Sequence, residues 1–411
     1  MSFLYQIAIY SYSFLIRIAS IFKQKAKLWI TGRKNIFLKI EETIEPDSKI
    51  VWFHSASLGE FEQGRPVIEA FRQQYPERKI LLTFFSPSGY EICKNYEGVD
   101  YIFYLPLDSK MNAVRFIKIV KPEMVVFIKY EFWFNYLKTL NENSIPVFFV
   151  SAIFRKEQYF FKWYGGWFRK MLRTITHFFV QNEESKKLLN SIGIENATVS
   201  GDTRFDRVSA IAGNAKAFPV IEKFVRNSKV FLAGSTWPQD DELIYEMANQ
   251  TPLKFIIAPH EIHKDRIDYI EKMFSDFNTI KYSESNENNI DHTNVLIIDG
   301  MGFLSSLYQY CDIAYIGGGF GKGIHNILEA ATFGKPVIFG PKYDKFQEAK
   351  DLIELKGAFS VSDASQLKGI TEKLLTEKQF YSNTCNVCHN YIKGKTGATS
   401  MIMKGVTENV L

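Results

Sequence analysis

Short apolar runs alternate with helical patterns along most of this 411-residue chain, and this alternation limits the fold more than any other feature. Strands separated by helical patterns are typical of parallel sheets with crossover helices. Seven candidate strands fall in the first half: Ile50–His54, Lys79–Phe84, Tyr101–Tyr104, Met124–Ile128, Val147–Ser151, Phe178–Gln181 and Ala197–Ser200. Five fall in the second half: Val230–Gly234, Leu253–Ala258, Val295–Asp299, Ile313–Gly317 and Pro336–Phe339.

The length of the chain predicts two domains. With 411 residues, of which 46% are apolar, it exceeds the size at which a single hydrophobic core stops growing. A polar segment at 207–228 separates the two sets of strands and is a candidate linker. We therefore expect an N-terminal Rossmann-like domain at 40–210 and a C-terminal one at 211–411. Doubly wound α/β domains bind ligands at the carboxyl ends of their strands.

Clustered glycines follow an apolar run within Tyr315–Pro341, and a helix is predicted to begin near His325. The cluster contains Gly317, Gly318, Gly319, Gly321 and Gly323. Glycines let the backbone approach a ligand closely, and a helix N-terminus presents N–H groups and partial positive charge to a phosphate. This pattern predicts a site for an anionic nucleotide. A glycine-rich connection without a ligand is the alternative.

A second candidate site lies in the stretch Val51–Phe71. A buried strand is predicted to end at His54 and a helix to begin after the small residues 55–59, so Glu60 falls on the first helical turn. A carboxylate at such a junction is placed to take a proton from an incoming hydroxyl. The spacing of Ser57 and Glu60 also fits a capping box, in which the carboxylate only caps a backbone N–H. Both interpretations fit these residues.

The N-terminal segment holds the excess positive charge. Residues 1–39 contain seven Lys or Arg and no Asp or Glu, which leaves 43 basic and 45 acidic residues in the remainder. Its apolar run precedes most of the basic residues, the opposite of the order in a cleaved signal peptide. Residues 1–39 are therefore predicted to be a retained membrane anchor with a basic flank, lying in the interface or barely spanning. A buried helix of a soluble domain is the alternative.

Composition argues against several other classes of protein. Four cysteines without framework-like spacing argue for a reducing compartment. Cys385, Cys388 and His389 match a c-type haem attachment pattern, but their polar, helical surroundings lack an apolar pocket. Nucleic acid is not an expected partner, because the basic residues cluster beside an apolar segment and do not line a groove.

Further motifs follow one another in a recognisable order along the chain. They are HSASLGEFEQGRP (54–66), TFFSPSGYE (83–91), GDTRFD (201–206), AGSTW (233–237), APHE (258–261), DGMGFL (299–304) and GIHNILEA (323–330). Together with the N-terminal membrane segment, they resemble the 3-deoxy-D-manno-octulosonic acid (Kdo) transferases of lipopolysaccharide synthesis, a family of GT-B glycosyltransferases. The resemblance covers nearly the whole chain.

The resemblance implies a fold and a set of site residues. The implied fold is α/β, of the GT-B class, with two doubly wound Rossmann-like domains facing across a cleft and an N-terminal membrane-anchoring helix. Glu60 matches the family's catalytic base. The implied CMP site comprises Pro259, His260, Met301, Gly302, Phe303, Asn326, Ile327, Leu328 and Glu329. Backbone N–H groups near Gly302 and Asn326 suit a phosphate or base edge, and Glu329 suits ribose hydroxyls.

Three more residues are candidates to contact the donor. Ser235 and Thr236 are predicted in the first strand-to-helix turn of the second domain, where they would contact the phosphate or the sugar carboxylate, or serve only as an N-cap. Arg204 would pair with the same anions through its guanidinium, or lie solvated on the surface. His260 near a strand end is as compatible with a structural role as with a functional one.

The implied activity is inverting transfer of Kdo from CMP-Kdo to a hydroxyl of a lipid A precursor, lipid IVA, at the cytoplasmic side of the cell inner membrane. Glu60 would deprotonate the hydroxyl while CMP departs, and neither a metal nor another cofactor is required. The alternatives are another GT-B nucleotide-sugar enzyme, such as a UDP-sugar transferase or an epimerase, and a catalytically inactive membrane-bound nucleotide-binding protein.

Overall fold

The computed structural model describes residues 2–410, which form two compact units. The first unit is Met1–Arg207 with Thr396–Leu411, and the second is Val208–Lys395. The predicted division at 210 and 211 lies close to the first boundary. The prediction placed residues 396–411 in the C-terminal domain, but they belong to the first unit.

The first unit contains a seven-stranded parallel sheet of strand order β3-β2-β1-β4-β5-β6-β7. Its strands are β1 (Ile50–Ser55), β2 (Lys79–Phe84), β3 (Tyr101–Tyr104), β4 (Met124–Ile128), β5 (Val147–Ala152), β6 (His177–Val180) and β7 (Ala197–Val199). Its helices are α1 (Ser2–Ala19), α2 (Gln24–Gly32), α3 (Ile36–Thr43), α4 (Leu58–Gln74), α5 (Pro87–Cys93), α6 (Lys110–Val120), α7 (Phe134–Glu142), α8 (Gly166–Leu172) and α9 (Glu183–Asn190). The boundary between the units falls inside α10 (Arg204–Gly213).

This sheet is buried on both faces, which explains why its strands are continuous apolar runs. Successive residues of β1 point to opposite faces: Trp52 packs against Phe116 at 4.9 Å between ring centroids, and Phe53 against Phe71 at 5.8 Å. Several helices begin at a polar cap. The side chain of Asn182, for example, accepts from the backbone N–H of Ser185 at 2.8 Å where α9 starts.

The second unit contains another seven-stranded parallel sheet, of order β10-β11-β9-β8-β12-β13-β14. Its strands are β8 (Val230–Thr236), β9 (Lys254–Pro259), β10 (Thr279–Lys281), β11 (Val295–Ile297), β12 (Ile313–Ile316), β13 (Val337–Phe339) and β14 (Ala358–Ser360). Its helices are α11 (Pro219–Val225), α12 (Pro238–Ala248), α13 (Lys264–Met273), α14 (Leu304–Leu307), α15 (Leu328–Ala331), α16 (Gln347–Glu354), α17 (Ala364–Thr376) and α18 (Lys378–Lys393). The last helix of the chain, α19 (Ala398–Val410), returns to the first unit.

Helix α19 belongs to the first unit because of its apolar face. Ile402, Met403 and Val406 are buried in the cluster that also contains Val67 of α4. The Asp206 carboxylate accepts from the backbone N–H groups of Gly397 and Thr399, each at 2.6 Å, and so caps the start of this helix. Helix α19, which the prediction placed at the end of the second domain, therefore completes the core of the first unit.

Three local predictions differ from the structure. The segment 207–228, predicted as a linker, contains the end of α10 and all of α11, because residues such as Ile221 and Phe224 are buried. The edge strands β10 and β14 were not predicted; each has three residues, most of them partly exposed. The helix predicted near His325 begins at Leu328 and lasts one turn.

The N-terminal segment forms α1, α2 and α3, and it packs on the rest of the first unit through buried residues of α2 and α3 and through one side of α1. Tyr5 donates to Asp108 at 2.5 Å, and Gln6 donates to Asn135 at 2.8 Å. Among the residues that the structure describes, no helix combines the length and apolar character needed to cross a membrane. The predicted anchor therefore lacks a spanning helix in this range, and its interfacial form stays a prediction.

Candidate active site

Glu60 lies where the sequence predicted, on the first turn of α4 just beyond the carboxyl end of β1. Its side chain is 13% exposed. One carboxylate oxygen accepts a hydrogen bond from the Ser57 hydroxyl, and the other lies 3.7 Å from the Lys129 ammonium. Each oxygen thus has its own partner, and the carboxylate is fixed at the edge of the sheet where ligands bind in α/β folds.

The capping-box alternative is not what the structure forms. Ser57 is the N-cap residue of α4, but its side chain makes no hydrogen bond to the backbone of the helix. Its hydroxyl is used by the Glu60 carboxylate instead. Glu60 is therefore a held carboxylate whose position suits proton transfer, and the helix start does not depend on its side chain as a cap.

Lys129 reaches Glu60 because of an unusual backbone conformation directly after β4. Its φ angle is +68°, in the left-handed region that a residue with a side chain rarely adopts, and its N–H donates to the carbonyl of Val150 at 2.9 Å. The neighbouring Tyr130 has a raised pKa, mainly because of burial and then because of the negative charge of Glu60. A cation, a phenol and a carboxylate therefore meet at this edge.

A buried polar network lies beside these groups. The His54 Nε2 atom accepts from the Trp133 indole at 3.1 Å, so a neutral His54 carries its proton on Nδ1 and donates to the Thr83 hydroxyl at 2.8 Å. Thr83 also accepts from the Trp52 indole at 2.7 Å. His54 is fully buried, and its role in the described structure is to hold the ends of β1 and β2 in place.

The second unit brings the predicted donor residues to one edge of its sheet. They follow the carboxyl ends of four neighbouring strands, β11, β9, β8 and β12. Ser235 and Thr236 end β8, Pro259 ends β9, and His260 follows it directly. The other predicted residues come after β11 and β12: Met301, Gly302 and Phe303 after β11, and Asn326, Ile327, Leu328 and Glu329 after β12. Parallel strands place their carboxyl ends at the same edge, so these residues share the ligand-binding side of the fold.

Asp240 organises this edge, although the sequence analysis did not single it out. One of its oxygens accepts from the backbone N–H groups of Trp237 and Gly318, both at 2.9 Å, and the other accepts from the Tyr315 hydroxyl at 2.8 Å. Burial raises the pKa of Asp240. Since these bonds join the start of α12 to the glycine-rich loop, Asp240 sets the distance between the two segments.

Three stacked rings cover the same edge. Trp237 stacks on His260 at 4.9 Å between centroids, and His260 stacks on His325 at 4.3 Å. The Trp237 indole donates to Nε2 of His325 at 3.1 Å. Burial, followed by the neighbouring His260, lowers the pKa of His325 to about 4. His325 is therefore neutral near pH 7, and the stack offers an aromatic surface beside main-chain N–H groups.

The titration of His325 gives a direct test of this stack. Its ring should titrate near pH 4 in an NMR experiment, and His260→Asn should raise the midpoint while leaving it below the ordinary value of about 6.5. Because the folded-state pKa is lowered, the neutral ring contributes stability above about pH 6.5 that is lost as the pH falls through about 4. A wild-type midpoint near 6.5 would show that the ring is not enclosed.

Backbone packing accounts for much of the glycine cluster. A Cβ atom on Gly317 would lie 2.3 Å from the Ser235 carbonyl oxygen, and one on Gly319 would lie 2.6 Å from the backbone of Gly340. Gly318 has a φ angle of +92°. These three positions are glycine because other parts of the chain come too close or because the turn needs a left-handed residue. Gly321 differs, since its nearest neighbour would be 3.6 Å away.

The donor candidates in the turns after β8 and β11 differ in backbone conformation and in exposure. Ser235 has a left-handed φ angle of +56°, Thr236 is buried, and the N-cap of α12 is Trp237, so neither of the first two is the N-cap. Met301 is 82% exposed on a turn where Gly302 has a φ angle of +83°.

The residues after β12 make local contacts. The Asn326 side chain accepts from the Leu328 N–H at 3.2 Å and donates to Glu329 at 3.0 Å. Leu328 and Glu329 lie on α15, which has only four residues, so the dipole of this helix is smaller than the sequence predicted.

Arg204 lies at the start of α10, in the first unit. Its guanidinium donates to the Asp202 carboxylate through Nε at 2.9 Å and lies 2.8 Å from it through Nη2. Asp202 also accepts from the Gln63 amide of α4 at 3.3 Å. Arg204 is therefore paired with a carboxylate while its side chain stays 32% exposed, and its contact with a donor stays a prediction. Within residues 2–410, no group of three or more His, Cys, Asp or Glu side chains is arranged to hold a metal ion.

The architecture defines the class of protein. The fold of the chain is similar to that of several solved structures: UDP-GlcNAc 2-epimerase from Neisseria meningitidis has a TM-score of 0.62 at 18% identity, covering 88% of this chain and 100% of that one. MurG from Acinetobacter baumannii has a TM-score of 0.56 at 12% identity, covering 88% and 99%. With its two parallel Rossmann-like sheets, the chain has the GT-B fold.

Sequence comparisons identify the family. Residues 31–207 match the family model described as 3-deoxy-D-manno-octulosonic-acid transferase (kdotransferase). A 3-deoxy-D-manno-octulosonic acid transferase from Haemophilus influenzae is 28% identical over 87% of this chain and 86% of its own length, and one from Aquifex aeolicus is 27% identical over 82% and 90%. By these matches the chain is similar to Kdo transferases over most of its length, and residues 31–207 carry the domain of that family.

One relative is longer than this chain. A bifunctional glycosyltransferase/methyltransferase from Fusobacterium nucleatum is 27% identical over 94% of this chain, which spans 62% of the length of that relative.

Proposed function

We propose that the protein transfers Kdo from CMP-Kdo to a hydroxyl of a lipid A precursor, with inversion at the anomeric carbon, and that Glu60 is the catalytic base. The observation that carries this proposal is the Glu60 carboxylate itself. It is held by Ser57 and Lys129 at the ligand-binding edge of the first sheet and is not used as a helix cap. The family match of residues 31–207 and the similarity to Kdo transferases support the sugar and the type of reaction.

The proposed step is a single displacement. The acceptor hydroxyl loses its proton to Glu60 as its oxygen forms a bond to the anomeric carbon of Kdo. The bond from that carbon to the phosphate oxygen breaks, and CMP leaves with the electron pair. The proton ends on Glu60, whose neutral form then returns it to water. The step needs no oxidant, and the proposal invokes no metal ion.

In this proposal, the second unit binds the donor. Its four neighbouring strand ends present the Trp237, His260 and His325 rings for a base, and main-chain N–H groups in the turns at Gly302 and Asn326 for a phosphate. Glu329 suits the ribose hydroxyls. These roles come from the family resemblance together with the shared edge of the sheet.

A transfer assay tests this function directly. The protein is incubated with CMP-Kdo and a tetraacylated lipid A precursor, and the products are read by mass spectrometry. We expect the acceptor mass to increase by one or more Kdo residues and CMP to be released in equal amount. CMP release without a modified acceptor would reduce the activity to hydrolysis, and absence of both would overturn the proposal.

A second candidate function follows from the fold likeness to a UDP-GlcNAc 2-epimerase. Such an enzyme would bind UDP in preference to CMP. Competition between CMP and UDP for the protein, followed by calorimetry, separates the two: we expect CMP to bind more tightly. Preferential binding of UDP would favour the epimerase or a UDP-sugar transferase.

The proposed site of action is the cytoplasmic face of the inner membrane, with α1 lying in the lipid interface. While Tyr5 and Gln6 hold one side of α1 to the first unit, the other side exposes an apolar row: Phe3, Leu4, Ile7, Tyr10, Phe14, Leu15 and Ile18. An apolar face this continuous is unusual on a surface in water and suits insertion between headgroups.

An aromatic segment lies beside α1. Trp163 is 91% exposed, and the ring of Tyr5 lies 6.1 Å from that of Trp167 on α8, which places α1 beside the aromatic segment 159–170. Exposed Trp and Tyr side chains are favoured at the boundary between lipid and water. Within this segment Phe160 is buried, whereas Tyr159, Trp163 and Tyr164 are exposed.

A vesicle experiment tests the interfacial helix. Replacing both Phe14 and Leu15 with Ser should weaken binding to phospholipid vesicles about 100-fold, because each loses the transfer of an exposed apolar side chain into lipid. The matched control replaces Ile92 and Met111 with Ser, which are exposed on α5 and α6. Vesicle flotation measures both variants. Equal losses, or none in the α1 variant, would count against α1 as the membrane contact.

A further inference from the structure

We propose that a basic cavity in the first unit binds the phosphate of an anionic membrane lipid. The cavity has a volume of about 750 Å³ and is lined by parts of α1, α2, α3 and the segment before and within α6. Four cationic residues line it: Arg17, Arg33, Lys34 and Arg115. Among the described residues that line it, none is acidic. The proposal rests on the membrane-surface part of the proposed function and does not depend on Glu60.

Arg33 is the strongest indication of an anionic ligand. Its guanidinium donates only to backbone carbonyl groups, those of Leu105 at 2.8 Å, Phe85 at 2.7 Å and Trp29 at 3.2 Å. No ion pair joins it to a carboxylate in the described part of the chain. Burial lowers the pKa of Arg33 to about 9, so it stays charged near pH 7. A partly buried charge without a carboxylate partner is stabilised by an anion close by.

Aromatic rings hold this guanidinium at the wall of the cavity. Its carbon lies 3.9 Å from the ring centroid of Trp29 and 4.8 Å from that of Tyr104. These contacts and the three carbonyl bonds restrict Arg33 to one orientation. The cavity wall therefore carries a fixed positive charge and not a flexible surface side chain.

The other cations differ in whether a carboxylate already neutralises their charge. Lys34 and Arg17 are exposed at the cavity, on the turn after α2 and on α1. Arg115 is already paired with Glu41 at 2.9 Å and contributes less. The first turn of α3 also lines the cavity, and its N-cap Asn35 makes no side-chain capping bond, so its backbone N–H groups add positive potential. A phosphate monoester or diester is the group that this arrangement suits.

The position of the cavity indicates that the phosphate belongs to a lipid. Ser13 and Arg17 line the cavity, while their helix neighbours Phe14 and Ile18 belong to the exposed apolar row of α1. Leu38, which is also exposed, lines the cavity as well. A bilayer that receives the apolar row would therefore bring headgroups to the cations and leave acyl chains beside apolar side chains.

The test compares two double variants with the same loss of charge. Arg17→Gln with Lys34→Gln changes the cavity, and Lys25→Gln with Lys27→Gln changes exposed residues of α2 that do not line it. Binding is measured to phosphatidylcholine vesicles with and without phosphatidylglycerol. We expect the cavity variant to lose about tenfold more of the preference for phosphatidylglycerol than the control loses. Equal losses would mean diffuse attraction by the basic segment and would overturn the proposal.

Soluble ligands separate the lipid from free phosphate and from the membrane itself. Calorimetry with short-chain phosphatidylglycerol below its micelle concentration should show binding to wild type and to the control, and about tenfold weaker binding to the cavity variant. Inorganic phosphate or glycerol phosphate should bind far more weakly, and equal affinity would refute the lipid as the source. Because these measurements need neither vesicles nor CMP-Kdo, failure of the cavity is distinguishable from failure of the α1 contact or of Kdo transfer. Thermal unfolding of each variant shows whether it is folded.

Discussion

Replacing Glu60 with Gln is expected to lower kcat for Kdo transfer by about 1,000-fold while CMP affinity stays within about twofold of wild type. An amide of the same shape accepts the Ser57 hydrogen bond but cannot take a proton, and a positioned general base contributes roughly 100- to 10,000-fold. Apart from Arg204, the residues proposed to bind the donor lie in the second unit, so CMP binding should not depend on this side chain. Transfer is measured with CMP-Kdo and lipid acceptor, and CMP binding by calorimetry.

Glu62→Gln is the matched control for this substitution. Glu62 lies two residues further along α4, where its carboxylate is more exposed and lies 4.0 Å from Arg65 and 3.6 Å from Arg207. Its loss should leave kcat nearly unchanged, because an exposed ion pair contributes little. Full turnover by Glu60→Gln would remove it from the role of base. Equal loss in both variants would indicate that charge on α4, and not proton transfer, is what the reaction needs.

The strands of both sheets were predictable because most of them are buried on two faces. A run such as Met124–Ile128 is apolar at each position, and the structure places all five residues in the core. The edge strands β10 and β14 were not predicted, because a three-residue strand that is mostly partly exposed does not form such a continuous apolar run. Helix α19 was assigned to the wrong unit, since its apolar face does not reveal which core it covers.

The candidate site was predictable only where a residue type indicates its chemistry. Glu60 could be found, because a carboxylate after a buried strand is conspicuous. Lys129 could not, since its contact with Glu60 depends on a left-handed φ angle that a lysine rarely adopts. Asp240 carried a usable signal that was missed: Pro238 opens a helix and Asp240 stands at its third position, where a carboxylate caps the backbone. The link from Asp240 to Gly318 needed the structure.

The glycine cluster shows how one sequence pattern can have two causes. Clustered glycines indicated a close approach of ligand to backbone, yet Gly317 and Gly319 are needed because the Ser235 turn and Gly340 come within 2.6 Å of where a Cβ atom would stand. The neighbours in both cases are backbone atoms, which cannot rotate away as a side chain can. The ligand interpretation therefore rests on the remaining glycines, of which Gly321 has space around it.

Gly317→Ala and Gly319→Ala are each expected to lower the free energy of unfolding of the second unit by about 3 kcal/mol and to abolish CMP binding. The added methyl group would press on the end of β8 in Gly317→Ala and on the backbone of Gly340, after β13, in Gly319→Ala, and overpacking of this kind costs about 1–3 kcal/mol or more. The same movement breaks the bond from the Gly318 N–H to Asp240, which joins the glycine-rich loop to α12. Thermal unfolding followed by circular dichroism, with calorimetry for CMP, measures both effects.

Gly321→Ala is the control within the same cluster. Its added carbon would have its nearest neighbour at 3.6 Å, an ordinary contact, so the melting temperature should stay within about one or two degrees of wild type. If this variant is stable but binds CMP at least tenfold more weakly, the ligand approaches the backbone at Gly321, and the cluster serves both packing and binding. If Gly317→Ala is as stable as Gly321→Ala, the close approach of Ser235 is not a constraint in solution, and the packing explanation fails.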